Sequence, residues 1–131
     1  MIGAGEASFL KIKEMKRGFS VLTTVEEAAR RVKRNARKCG VERFLLSVRP
    51  LGVHVLELGQ RERRRKALVM KGGKAVQEDH AEVIVLGCTG MVGNAEWLSK
   101  KLVVPVIDPA EAAFEMTIRV LTQLQNARAF V

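Results

Sequence analysis

The order of apolar runs along this 131-residue chain predicts an α/β fold, with a four-stranded parallel sheet and helices on both faces. Three observations carry the prediction. Four short β-branched runs recur: "GFSVLTT" (18–24), "RFLLSV" (43–48), "EVIVLG" (82–87) and "VVPVI" (103–107). They are apolar nearly throughout, as strands covered on both faces must be. Helical patterns fill the gaps between them, and strands joined by helices pair in parallel through right-handed crossovers.

Each element has a local reason. Residues 7–16 suit a short leading helix. The segment 24–40, "TVEEAARRVKRNARKCG", offers Thr24 as a cap, acids in its first turn, basic residues in its last turns and Gly40 as a stop. Val25, Ala28, Ala29, Val32 and Ala36 make its apolar stripe. A second helix covers 62–80. Gly72 and Gly73 weaken it by about 1 kcal/mol each relative to alanine, and they allow either close packing or a break. A third covers 94–102, and a fourth 109–125, with Pro109 at an early helical position. Segment 50–60, "PLGVHVLELGQ", is too long for a turn and partly apolar, which suits an arm packed on the body. With no linker or repeat, residues 1–131 are expected to form a single α/β domain.

Composition narrows the function. A 47% hydrophobic content argues against disorder, and no apolar run approaches the ~20 residues of a membrane helix. The N-terminus has no signal-peptide pattern, and two separated cysteines suit reduced thiols, so a cytoplasmic protein is expected. The formal charge of +9 invites an anionic partner. Yet the basic residues crowd into 30–38 and 61–66 with no interleaved aromatic for base stacking, which disfavours nucleic acid and favours solvated helix faces.

The chemistry concentrates in "AEVIVLGCTGMVGNAEW" (81–97). Cys88 ends the third strand, and parallel sheets bind ligands at the carboxyl ends of their strands. The next helix starts close behind, so free N–H groups and the positive end of its dipole favour a thiolate. Thr89 adds a hydroxyl, and Gly87 and Gly90 let a ligand near the main chain. The plainer alternative is a buried, inert thiol. Thr23 and Thr24 end the first strand on the same edge, with a structural role as turn and cap and a second one in holding carbonyl or carboxylate oxygens. Cys39, at the end of a charged helix, is a weaker case. His54 and His80 are isolated, no metal-ligand spacing is present, and "GAGE" (3–6) lacks a nucleotide fingerprint.

Together, "EASFLKIKEMKRGFSVLTT", "EVIVLGCTGM" and "VPVIDPAEAA" resemble the aspartate/glutamate racemase superfamily, and within it most nearly the hydantoin racemases. The resemblance implies two similar α/β lobes with the active site between them, each lobe supplying one cysteine. One thiolate removes the proton beside a carbonyl of a cyclic amide or amino acid, and the other cysteine returns a proton on the opposite face, with no metal or organic cofactor. The chain matches the second lobe, with Cys88 as the catalytic cysteine and Thr23, Thr24, Thr89 and Gly90 as substrate-binding residues. The first lobe's cysteine has no counterpart. Residues Phe114, Met116, Ile118, Val120, Leu121 and Leu124 of the last helix are more than one face hides, so self-association is expected.

Two functions from different classes follow. One is a racemase or epimerase completed by a dimer or partner lobe, so that two copies of Cys88 face each other. The other is a truncated, inactive module that binds a small carboxylate or oligomerises. A basic nucleic-acid-binding domain is a distant third.

Overall fold

The computed structural model describes residues 4–24, 26–52, 61–87 and 93–129. Helix α1 (Ala4–Met15) leads into β1 (Phe19–Thr23), followed by α2 (Ala28–Lys38), a 3₁₀ turn at Glu42–Phe44 and β2 (Leu45–Pro50). Then come α3 (Arg61–Gln77), β3 (Val83–Leu86), α4 (Ala95–Leu102), β4 (Val106–Ile107) and α5 (Pro109–Ala129). The strands form one sheet in the order β2-β1-β3-β4, and every pair is parallel. The expected α/β fold is present, with four parallel strands and helices on both faces.

Strand alternation divides the core in two. Phe19, Val21, Val83, Val85 and Ile107 face Phe9 and Ile12 of α1, Val32 and Ala36 of α2 and Ala112 of α5. Leu22, Ile84 and Leu86 face Leu68 and Ala75 of α3 and Ala95 and Leu98 of α4. All five residues of β1 and all four of β3 are buried, which is why both read as unbroken apolar runs. β2 is an edge strand and only half-buried. A polar clamp holds it. Arg49 makes a bidentate pair with Asp79 (2.6 and 3.0 Å), and Ser47 donates to the same carboxylate at 2.6 Å. Ser47 spends its one proton there, so the buried Ser20 hydroxyl must donate to Ser47 across 2.7 Å. The Arg49 hydrogen bond, with help from Ser47, holds the Asp79 carboxyl below its ordinary range against the opposing effect of burial.

Several boundaries differ from the sequence expectation. Thr24 does not cap α2: the helix starts at Ala28 with Glu27 at the capping position and no side-chain cap bond. The Thr23 carbonyl accepts from Leu51 at 2.8 Å, so the sheet holds the chain extended to that point, and Glu26 and Glu27 lie in a turn before the helix. β4 has two residues rather than five. Val103 closes α4 in the left-handed conformation (φ 59°), and Pro105 has no N–H to give the ladder. Gly72 does not break α3. An added Cβ there would sit 2.6 Å from Leu102 Cδ1, so this glycine serves the α3–α4 contact, whereas Gly73 faces open space. The arm at 53–60, with His54, lies outside the described residues.

Candidate functional site

The carboxyl edge of the sheet gathers Thr23, Pro50, Gly87 and Asp108, each at or just beyond a strand end. β1 and β3 are direct neighbours, with Leu22 opposite Leu86, so Thr23 and Thr24 stand beside the strand that leads into Cys88. Thr23 and Thr24 are both buried. Gly87 donates its N–H to the Leu22 carbonyl at 2.8 Å. A Cβ at Gly87 would meet that oxygen at 2.9 Å, Val21 Cγ1 at 2.9 Å and Thr23 Cγ2 at 3.3 Å. A glycine is required here because two strand ends close on each other, not because of an unusual φ.

Cys88, Thr89 and Gly90 lie outside the described residues. The two ends of their segment are described. On one side is Gly87. On the other is Gly93 (φ +90°, a conformation suited to glycine), followed by the buried Asn94 at the capping position of α4. Gly93 donates its N–H to Asp108 Oδ2 at 3.2 Å. The other carboxylate oxygen of Asp108 caps α5, accepting from Ala110 at 2.8 Å and Glu111 at 3.4 Å. Asp108 is 1% exposed, and its carbonyl accepts from Ala112 at 2.9 Å. One buried carboxylate thus joins the exit of the cysteine segment to the first turn of α5.

A cavity of about 120 Å³ opens beside Gly87 in the α1–α2–α5 layer. Phe9, Val21, Val32 and Val85 supply apolar walls, Pro109 and Gly87 lie at the strand ends, and Arg31 and Asn35 of α2 bring a guanidinium and an amide. It holds the volume of about four water molecules, which suits a small ligand or part of one. Arg31, Asn35, Asn94 and Asp108 were not singled out from the sequence. Arg31 and Asn35 sit within a helix read only as a solvated basic face. The signal for Asp108 was available: an aspartate just before a proline at the first helical position is a strong N-cap.

The remaining candidates separate from this edge. Cys39 caps the C-terminus of α2, just before the chain enters β2, at the opposite edge of the sheet. Its thiol is pushed above its ordinary range, first by burial and then by Glu6, with Lys13 and Lys38 opposing. It is therefore a poor thiolate, far from Gly87. His80 is exposed in the turn after α3, also at that opposite edge. The two basic helices lie on opposite faces of the sheet, and one of their charges is spent on packing, with Arg65 stacked 4.6 Å over Trp97. Among the described residues no three potential ligands gather to hold a metal ion, and no helix is long and apolar enough to cross a membrane.

Comparison with known proteins gives a consistent result. The family model described as "Asp/Glu/Hydantoin racemase" matches residues 1–117. The chain is 36% identical over 114 residues to a hydantoin racemase of Paenarthrobacter aurescens, covering 86% of this chain and 48% of that protein. It is also 36% identical over 117 residues to a hydantoin racemase of Rhizobium meliloti, covering 88% of this chain and 48% of that protein. The structure is similar to a crystal structure of allantoin racemase from Pseudomonas fluorescens, with TM-score 0.86, 30% identity and coverage of 92% of this chain and 52% of that one. Allantoin racemase from Klebsiella pneumoniae matches with TM-score 0.86 and 26% identity, over 93% of this chain and 50% of that one. The chain spans about half the length of the curated relatives it matches.

Proposed function

Because the chain belongs to the Asp/Glu/hydantoin racemase family, we propose that it is one lobe of a cofactor-independent racemase or epimerase and that Cys88 is its acid/base. The observation that carries this reading is the placement of Gly87, the residue before Cys88, at the carboxyl edge of the sheet, packed against Thr23 and beside a small cavity. The substrate class is a small molecule with a carbon acid beside a carbonyl, a cyclic amide such as a 5-substituted hydantoin or an amino acid.

The reaction balances without a redox partner. A thiolate takes the proton from the carbon, and the electron pair of that C–H bond moves into the carbonyl to give an enolate. A thiol on the opposite face then protonates the carbon. One sulfur ends as thiol and the other as thiolate, with the configuration inverted. The enolate oxygen needs donors, and backbone N–H groups near Thr89 and Gly90 with the hydroxyls of Thr23 and Thr24 are our assignment. The second sulfur is not Cys39, which sits at the wrong edge. A second copy of Cys88 across a two-fold axis, or a separate partner lobe, fills the role. Exposed apolar residues support self-association: Phe114, Ile118, Val120, Leu121 and Leu124 are each 46–68% exposed along α5.

The test pairs two measurements on the purified chain. Optical rotation of an enantiopure 5-substituted hydantoin should decay with the wild type and persist with Cys88→Ser, and light scattering should report a dimer. Loss of rotation at equal rates in both proteins removes the role of Cys88. A strict monomer that still racemises removes the dimer mechanism. The second reading, a non-catalytic carboxylate-binding or oligomerisation module, is favoured by one observation: the only other thiol is remote and poorly ionised. It predicts no decay of rotation at any protein concentration.

A further inference from the structure

We propose that the cavity beside Gly87 binds a short aliphatic carboxylate, its alkyl stem among the apolar walls and its charged end on Arg31 and Asn35. Phe9 of α1, Val21 of β1 and Val85 of β3 line the inner side and offer no polar group. Arg31 and Asn35 stand one turn apart on α2, so they share a face, and both are exposed where they border the cavity. Among the described residues Arg31 makes no ion pair, although Glu27 lies one turn before it. Packing and pairing within the chain therefore leave this guanidinium unclaimed.

The chemistry of the walls selects the guest. A guanidinium takes a carboxylate through two parallel N–H···O bonds, and the neighbouring amide adds a further donor. A purely apolar guest would leave both unused. A second charge would lie against Phe9, Val21 and Val85 without a partner, which disfavours dicarboxylates and phosphate. Size sets the length. An apolar cavity of about 150 Å³ accepts benzene, so about 120 Å³ takes roughly five non-hydrogen atoms. With the carboxylate at the mouth, a four-carbon acid fills the space. Two sources supply this chemistry: the acidic side arm of a substrate, or a free monocarboxylate. The first rests on the racemase reading, whereas binding in the cavity does not.

Binding is read by two-dimensional ¹H–¹⁵N NMR of the labelled full chain at constant ionic strength. The probes are acetate, propionate, butyrate and hexanoate, with butyramide as the uncharged isostere. Affinity should rise by about fourfold per methylene up to butyrate and gain nothing at hexanoate. The largest shifts should fall at Gly5, Asn35 and Gly87. Butyramide on the wild type, and butyrate on Arg31→Gln, should each bind about fivefold more weakly. Val85→Ile adds one methyl to the inner wall. It should move the optimum from butyrate to propionate with no loss of melting temperature, because it fills empty space. Equal affinity along the series, shifts as strong on α3 as on α2, or full butyrate affinity in folded Arg31→Gln overturns the proposal. Racemisation separates the two sources. A substrate arm in the cavity gives 5-(2-carboxyethyl)hydantoin a lower KM than 5-propylhydantoin, and butyrate competes with it. A free carboxylate as guest gives equal KM values and no competition, and both results keep the site. Butyrate binding without racemisation of either hydantoin refutes the racemase reading alone. Racemisation without carboxylate binding refutes the cavity proposal alone.

Discussion

Replacing Gly87 by alanine tests the site where the fold and the chemistry meet. The new Cβ would lie 2.9 Å from the Leu22 carbonyl oxygen and 2.9 Å from Val21 Cγ1, where ordinary contact begins near 3.4 Å. The Val21 methyl can shift a little, but the carbonyl belongs to a buried central strand bonded on both sides. The ends of β1 and β3 must therefore part by about 0.5 Å, stretching the Gly87–Leu22 hydrogen bond toward its limit. Overpacking of this kind costs about 1–3 kcal/mol, and the lower backbone entropy of alanine in the unfolded chain returns up to about 1 kcal/mol. The net loss is about 1–2 kcal/mol, a fall in melting temperature of about 3–10 °C for a chain of this size. Calorimetry or melting by circular dichroism reads it directly. Because the displaced residue precedes Cys88, Cys88 alkylation should slow as well. A melting temperature within a degree of the parent, with unchanged alkylation, would show that the close approach of the strand ends is not real.

Other outcomes follow from the packing. Asp79→Asn should destabilise the fold by about 1 kcal/mol at neutral pH by weakening the clamp on β2. The folded-state pKa of Asp79 is depressed, so its contribution is complete above the unfolded carboxylate value and is lost as pH falls through the folded value. The variant should accordingly lose less stability than the parent in an acid titration below about pH 4. Gly73→Ala, with nothing within 4 Å of its new methyl, should stabilise α3 by about 0.5–1 kcal/mol in denaturant unfolding, whereas Gly72→Ala should gain less because Leu102 must move from a 2.6 Å contact. Leu121→Glu with Leu124→Glu should turn a self-associated chain into a monomer by light scattering while leaving its melting temperature at low concentration within a few degrees. Equal association in the double variant would remove α5 as the contact.

The fold was legible because burial on both faces wrote it into the sequence. β1 and β3 are covered by two helices' layers each, so alternation gives way to the continuous runs "FSVLT" and "VIVL". What misled was chemistry that local pattern does not carry. Val103 and Val104 read as strand, but α4 closes through Val103, 86% exposed and in a left-handed conformation unusual for a β-branched residue. Thr24 looked like a cap, but the sheet retains the chain through Thr23 and delays the helix. The pair Gly72–Gly73 is ambiguous in sequence because only the position of Leu102 distinguishes a packing glycine from a free one.

The site was half legible. A cysteine after an apolar run, with glycines and threonines beside it, marks the carboxyl edge of a parallel sheet, and the structure brings Thr23, Thr24 and Gly87 to that edge. Arg31, Asn35 and Asp108 escaped notice because their link to the edge is long-range. Arg31 and Asn35 reach the cavity only once α2 has folded back on β1, and the second oxygen of Asp108 finds Gly93 only once the chain has returned through β4, beside β3, to the carboxyl edge of the sheet.

The most direct measurement is deuterium uptake from solvent at the carbon beside the carbonyl of a 5-substituted hydantoin, with aspartate in parallel, comparing the wild type with Cys88→Ser. The account predicts enzyme-dependent incorporation on at least one of the two substrates, reduced to the uncatalysed rate by the single oxygen-for-sulfur change. Incorporation that survives the substitution undiminished, or none with the wild type at a concentration where it is fully associated, would contradict it.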